Sequence, residues 1–113
     1  MIVAIIGSRG LQITNLEKYL PSEVTEIVSG GAKGIDQCAR EYALSHGIKL
    51  TEFLPEYKKY GRAAPLKRNI TIIEYADLVL AFWDGASHGT KFVIDRCKHF
   101  NVPIRVFIST KHI

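Results

Sequence analysis

Two unbroken apolar runs, Ile2–Ile6 and Leu78–Phe82, have the pattern of strands covered on both faces of a sheet. The runs Val24–Val28 and Ile104–Ile108 read as further strands. Lys49–Leu54, whose alternation is weaker, reads as a strand at the sheet edge. Between the strands the period changes. Ile35, Cys38, Ala39, Tyr42 and Ala43 recur at i, i+3, i+4, i+7 and i+8, the apolar stripe of a helix from Gly34 to His46 that Gly47 ends. Leu66, Ile70 and Ile73 mark the buried face of a helix opened by Pro65. Val93, Ile94, Cys97 and Phe100 mark that of another, closed by Asn101 in a left-handed turn and by Pro103. A short helix is expected after Thr14, where Glu17 completes the spacing of a capping box and Pro21 helps to close it. Pro55–Ala64 reads as a polar, aromatic-containing loop, a mobile lid or plain surface in preference to a nucleic-acid surface, although Tyr57, Lys58, Lys59, Tyr60 and Arg62 mix basic and aromatic groups. Ser109–Ile113 reads as a frayed tail.

Five strands alternating with four helices build an α/β fold, a parallel sheet with helices on both faces. Right-handed crossovers favour the strand order 3-2-1-4-5, a Rossmann-like three-layer sandwich with its switch point between strands one and four. Ligands of such sheets bind at the carboxyl ends of the strands, beside that point. There the order brings three loops together: Gly7-Ser8-Arg9, Ser29 to Asp36, and Trp83 to Thr90. Neighbouring strands lie about 4.8 Å apart, so three loops span roughly 10 Å, the scale of a nucleoside phosphate.

Composition narrows the partners. A chain of 113 residues has room for one domain, 1–113, and one core. Its net charge of +4 permits an anionic partner without demanding one, because Lys and Arg are scattered. No segment approaches the roughly 18 apolar residues of a membrane span, and no secretory signal is evident. Cys38 and Cys97 lie far apart on apolar helix faces. They read as buried free thiols, so a cytoplasmic location is expected. His46, His99 and His112 are isolated, and neither a metal site nor a cofactor is expected.

The stretch Ser29-Gly30-Gly31-Ala32-Lys33-Gly34-Ile35-Asp36 carries the strongest chemistry. Glycines between a strand and a helix let the backbone approach a ligand, and the first helical turn offers unpaired N–H groups at a positive dipole end. An anion fits there, and Lys33 adds a full charge. Arg9, beside Gly7 and Ser8, is a natural phosphate fork. Asp36 suits the helix dipole, or holds Arg9, or contacts a ribose hydroxyl. Arg68 and Asn69 stand near the same rim or on solvated surface. Asp84, the one candidate for a catalytic role, accepts hydrogen bonds from a ligand, orients a water, or pins the turn of Gly85. Trp83 stacks on a base or fills the core or the rim. Ser87, Gly89 and Thr90 open the last helix with free N–H groups. The turn is neither a Walker A loop nor G-x-G-x-x-G.

Five motifs in order resemble the SLOG superfamily of Rossmann-like domains, which includes the Smf/DprA and LOG proteins, and within it the YspA-type stand-alone domains. They are Gly7-Ser8-Arg9, Ser29 to Asp36, Tyr60-Gly61-Arg62-Ala63-Ala64 with Arg68-Asn69, Ala76-Asp77, and Ala81 to Gly85 with Ser87 and Gly89-Thr90. The resemblance implies a nucleotide or nucleotide-derived ligand at the glycine loops, in sensing or signalling, and its members suggest a homodimer. Smf/DprA relatives imply single-stranded DNA as an alternative partner. LOG relatives imply hydrolysis of nucleoside monophosphates, but Val93 stands where their catalytic glutamate should be.

Overall fold

The computed structural model describes residues 1–109; of the expected tail, residues 110–113 lie outside the described residues, His112 among them. Five strands form one parallel sheet: β1 (Ile2–Gly7), β2 (Glu26–Ser29), β3 (Lys49–Glu52), β4 (Leu78–Trp83) and β5 (Ile104–Ile108). Their order is β3-β2-β1-β4-β5, so the α/β Rossmann-like architecture and the edge position of β3 are as the sequence indicates. The helices are α1 (Ile35–Ser45), α2 (Tyr57–Tyr60), α3 (Ala64–Tyr75) and α4 (His88–His99).

The unbroken apolar runs follow from burial on both faces. Val3, Ile5, Leu80 and Phe82 pack on one side with Ile35, Ala39 and Ala43 of α1. Ala4, Ile6, Val79 and Ala81 pack on the other with Ile72 and Ile73 of α3 and Val93, Ile94 and Cys97 of α4. Helix α1 lies over β1, β2 and β3. Over β4 and β5 the same face is covered by the connector after β1, where Tyr19 meets Phe82 and Phe107 edge-on at 5.2 and 4.7 Å.

That covering role explains one correction. No capped helix follows Thr14; the chain makes a 3₁₀ turn, Leu16–Lys18, without a side-chain cap. Ile13, Leu16 and Tyr19 all pack inward, and their spacing of three is the 3₁₀ period. A second correction concerns Pro55–Ala64, which is not a loop throughout: α2 and a 3₁₀ turn at Gly61–Ala63 occupy it. No residue of α2 is buried, so no apolar stripe announces it. In α3 the inward residues are Ala64, Ile72 and Ile73, whereas Leu66 is 41% exposed and Ile70 is half-buried. Phe100 is exposed too, because it caps α4 beyond the last inward turn. Asn101 and Gly47 adopt the left-handed conformation expected of them, at φ 57° and 64°. Both cysteines are free. Burial pushes the Cys97 thiol up to about 11, while Cys38 is half-buried rather than buried. Among the described residues no helix is long and apolar enough to cross a membrane, and no group of His, Cys, Asp and Glu could hold a metal ion.

A polar tie joins β2, β3 and α3 on the face opposite α1. Glu26, buried at the head of β2, accepts hydrogen bonds from Thr51 Oγ1 at 2.6 Å and Tyr75 OH at 2.7 Å, with Lys49 Nζ at 3.6 Å. These partners, Thr51 foremost, hold its carboxyl below the usual glutamate range. A carboxyl depressed in the fold stabilises it above the unfolded pKa, and that contribution is lost as pH falls through the folded pKa. Glu26→Gln should therefore cost about 1–2 kcal/mol at neutral pH. In urea melts the deficit against the parent should shrink as pH drops below the glutamate range. A deficit independent of pH would refute the tie.

Candidate functional site

The carboxyl ends of β2, β1 and β4, together with the first turns of α3, enclose a cavity of about 350 Å³. Gly7, Ser8, Arg9 and Gly10 form one wall, and Asp84, Ser87, Gly89 and Thr90 another. The β2 loop contributes Gly30, Ala32 and Asp36, and α3 contributes Pro65, Leu66, Arg68 and Asn69; Ile6, Ile72 and Val93 supply further apolar lining. The three loops thus converge on one rim. Gly7 cannot be larger, because a Cβ there would lie 2.6 Å from the Phe82 carbonyl oxygen.

On the α4 side the polar groups hold one another. The Ser8 N–H donates to Phe82 O at 3.0 Å, the Asp84 N–H donates to Ser8 Oγ at 3.1 Å, and Ser8 Oγ and Ser87 Oγ share a hydrogen bond of 2.8 Å. Asp84 Oδ1 accepts the N–H groups of Ala86 and Ser87, each at 2.8 Å, and these hold the carboxyl below the usual range. Of its open readings, Asp84 takes the one that pins the turn, which Gly85 completes at φ 83°, while still lining the cavity. Trp83 does not line the cavity: it packs against the second core, and its Nε1 donates to Ser87 O at 3.0 Å.

Ser87 is the N-cap of α4, yet its hydroxyl turns to Ser8 and the helix has no side-chain cap. First-turn N–H groups have no partner within a helix. Those of Gly89 and Thr90 therefore stay available at residues that line the cavity. Thr90 is only 6% exposed, and its hydroxyl makes no hydrogen bond among the described residues. That hydroxyl is free to pair with a ligand acceptor at the cavity wall.

The α1 side is different. Gly34 caps α1 at φ 72°, and the Arg9 carbonyl packs where its Cβ would stand. Asp36 Oδ2 accepts the Ala32 N–H at 3.1 Å. Burial pushes the Asp36 carboxyl up, and the Ala32 N–H and Arg68 pull it back. Arg68 Nη1 donates to Gly30 O at 2.6 Å and Phe53 O at 3.4 Å, and Nε donates to Asn69 Oδ1 at 2.7 Å. Burial lowers the guanidinium pKa and Asp36 opposes this. Asp36 thus works with Arg68 rather than Arg9, and the loop already carries an anion of its own. Gly31 and Lys33 face a neighbouring depression instead of the cavity. Ser29 is fully buried, and its Oγ has no hydrogen-bond partner among the described residues.

The motifs do not announce Ile6, Gly10, Pro65, Leu66, Ile72 or Val93. A helical signal was available for several. Pro65, Arg68, Asn69 and Ile72 fall at i, i+3, i+4 and i+7, one face of α3, and Val93 lies one turn beyond Gly89 and Thr90.

A parallel 3-2-1-4-5 sheet with glycine-rich loops around a cavity at its switch point defines a Rossmann-like α/β domain of the SLOG kind. The family model described as DNA recombination-mediator protein A matches residues 1–81, and the chain belongs to that family. The match includes the Ser8, Ser29–Asp36 and Arg68 walls and ends before Asp84–Thr90. No curated protein and no solved structure matches the chain.

Proposed function

We propose that this chain is a binding module for a nucleotide or nucleotide-derived ligand, a YspA-type domain used in sensing or signalling. The observation that carries the reading is the withheld cap of α4. Ser87 gives its hydroxyl to Ser8, so the first-turn N–H groups at Gly89 and Thr90 and the Thr90 hydroxyl remain for an anion. A phosphate bound there is joined by sugar hydroxyls at Asp84. A base lies against Ile72, Val93 and Leu66, with the Asn69 amide at hand. Binding is favoured over N-glycoside hydrolysis, because Val93 lines the cavity where LOG enzymes carry glutamate and Asp84 is committed to its own turn.

Calorimetric titration with adenosine 5′-monophosphate tests this. Thr90→Val keeps the shape and removes a hydroxyl the fold does not use. It should leave the melting temperature equal or slightly higher and weaken binding about tenfold. Equal affinities, or no heat with any nucleoside 5′-monophosphate, would sink the reading. Single-stranded DNA is the second reading. It is favoured by the family description and by the exposed Tyr57, Lys58, Lys59, Tyr60 and Arg62, which mix aromatic and basic groups. The same titration with a short oligonucleotide at two salt concentrations separates the two, since steep salt dependence marks a chain of phosphates.

A further inference from the structure

Beside the cavity lies a second, open depression of about 570 Å³. Arg9 and Ala32 belong to the walls of both, so the two adjoin at these residues. The depression also carries Lys33 and Arg40, with the carboxylates Glu41 and Glu52. Arg40 grips Glu52 through Nη2–Oε1 at 2.7 Å and Nε–Oε2 at 3.1 Å, which neutralises both. Glu41 accepts from Gln37 at 3.4 Å. Arg9 and Lys33 make neither a hydrogen bond nor an ion pair among the described residues. Two cations 24 positions apart in sequence thus stand at one depression with no hydrogen-bond or ion-pair partner among the described residues.

The main cavity has a more even balance, with Arg9 and Arg68 against two carboxylates. Asp36 and Asp84 line it, and the charge of Arg68 is tied to backbone carbonyls and Asp36. One anion fits at the α4 N-terminus, but a second attached directly to it would stand among carboxylates. Beyond Arg9 it would meet unpaired positive charge. We infer that the ligand carries two separated anionic groups, one at the α4 N-terminus and one between Arg9 and Lys33: a nucleotide phosphorylated at two positions. The same chemistry occurs in a free nucleoside bisphosphate and in each internal link of a single strand. The inference rests on the nucleotide reading above and deepens it.

Four ligands decide it: adenosine 5′-monophosphate, adenosine 3′,5′-bisphosphate, adenosine 5′-diphosphate and a 5′-phosphorylated deoxyadenosine trinucleotide. The bisphosphate or the trinucleotide should bind at least about tenfold more tightly than the monophosphate, and the diphosphate should show no such gain. Lys33 is exposed and has no partner among the described residues, so Lys33→Ala should fold as the parent does and reduce that gain to about one. Whichever of the two binds more tightly identifies the source as free nucleotide or strand. Monophosphate binding with no gain, an equal gain from the diphosphate, or a gain that survives Lys33→Ala would overturn the second subsite and leave the nucleotide reading standing. Failure of all four ligands to bind would overturn both.

Discussion

Replacing Gly89 by leucine is expected to make the fold more stable and to weaken the proposed nucleotide binding sharply. Gly89 sits in the first turn of α4, its φ is not left-handed, and a Cβ there would meet no atom within 4 Å. Glycine inside a helix is less favourable than alanine by about 0.5–1 kcal/mol, and leucine ranks close to alanine. Nothing in the packing requires glycine here. What it provides is an unobstructed approach to the N–H groups of α4, beside the unpaired hydroxyl of Thr90. Gly89→Ala should raise the melting temperature by a few degrees, and Gly89→Leu should do the same while weakening adenosine 5′-monophosphate by about 10–100-fold, the scale of lost charge-assisted hydrogen bonds. A leucine variant that binds as the parent does would remove the α4 N-terminus from the site. Gly31 would be a poor probe. Its φ of 70° and the nearby Leu54 Cδ2, 2.6 Å from a built Cβ, mean that any side chain there disturbs the fold itself.

Arg68→Ala is expected to cause the largest loss of stability among changes at the cavity. The guanidinium ties the end of β2 to the segment after β3 through Gly30 O and Phe53 O, orients Asn69, and faces Asp36. Truncation leaves two carbonyls without their donor and a buried carboxylate without the positive charge it faces, a cost of about 3 kcal/mol. For a domain of this size that is a fall of roughly 10–15 °C in melting temperature. Arg68→Lys restores charge near Asp36 but not a planar fork reaching two carbonyls, so it should recover about half. Urea melts of the three proteins would measure this, and a loss below about 1 kcal/mol for alanine would show Arg68 to be a surface residue in energetic terms.

Strand order was legible because the apolar runs at Ile2–Ile6 and Leu78–Phe82 admit no one-sided sheet, and because α1 shows an unambiguous stripe from Ile35 to Ala43. The convergence of the Ser8, Gly30 and Asp84 loops followed from that order. What stayed hidden had no period to display it. Helix α2 buries nothing, and the Thr14–Glu17 pattern satisfies a capping rule while Ile13, Leu16 and Tyr19 obey a stronger demand from Phe82 and Phe107. In α3 Leu66 stands in the cavity wall beside Arg68 and Asn69 rather than in the buried stripe. On local grounds alone the glycine-rich loop after β2 has the chemistry of an anion cradle. Two contacts from far along the chain alter its chemistry: the Arg9 carbonyl against Gly34, and Arg68 on Gly30.

Asp36 carries a consequence for how such a fold can diverge. Its carboxylate is a resident occupant, so the head of α1 is furnished whether or not any solute is present. Exchange of this one side chain for a small neutral residue would turn a strut into a vacancy and open a berth for another charged solute, with folding weakened in the bargain. With the aspartate in place, the glycine loop after β2 is a support of the fold.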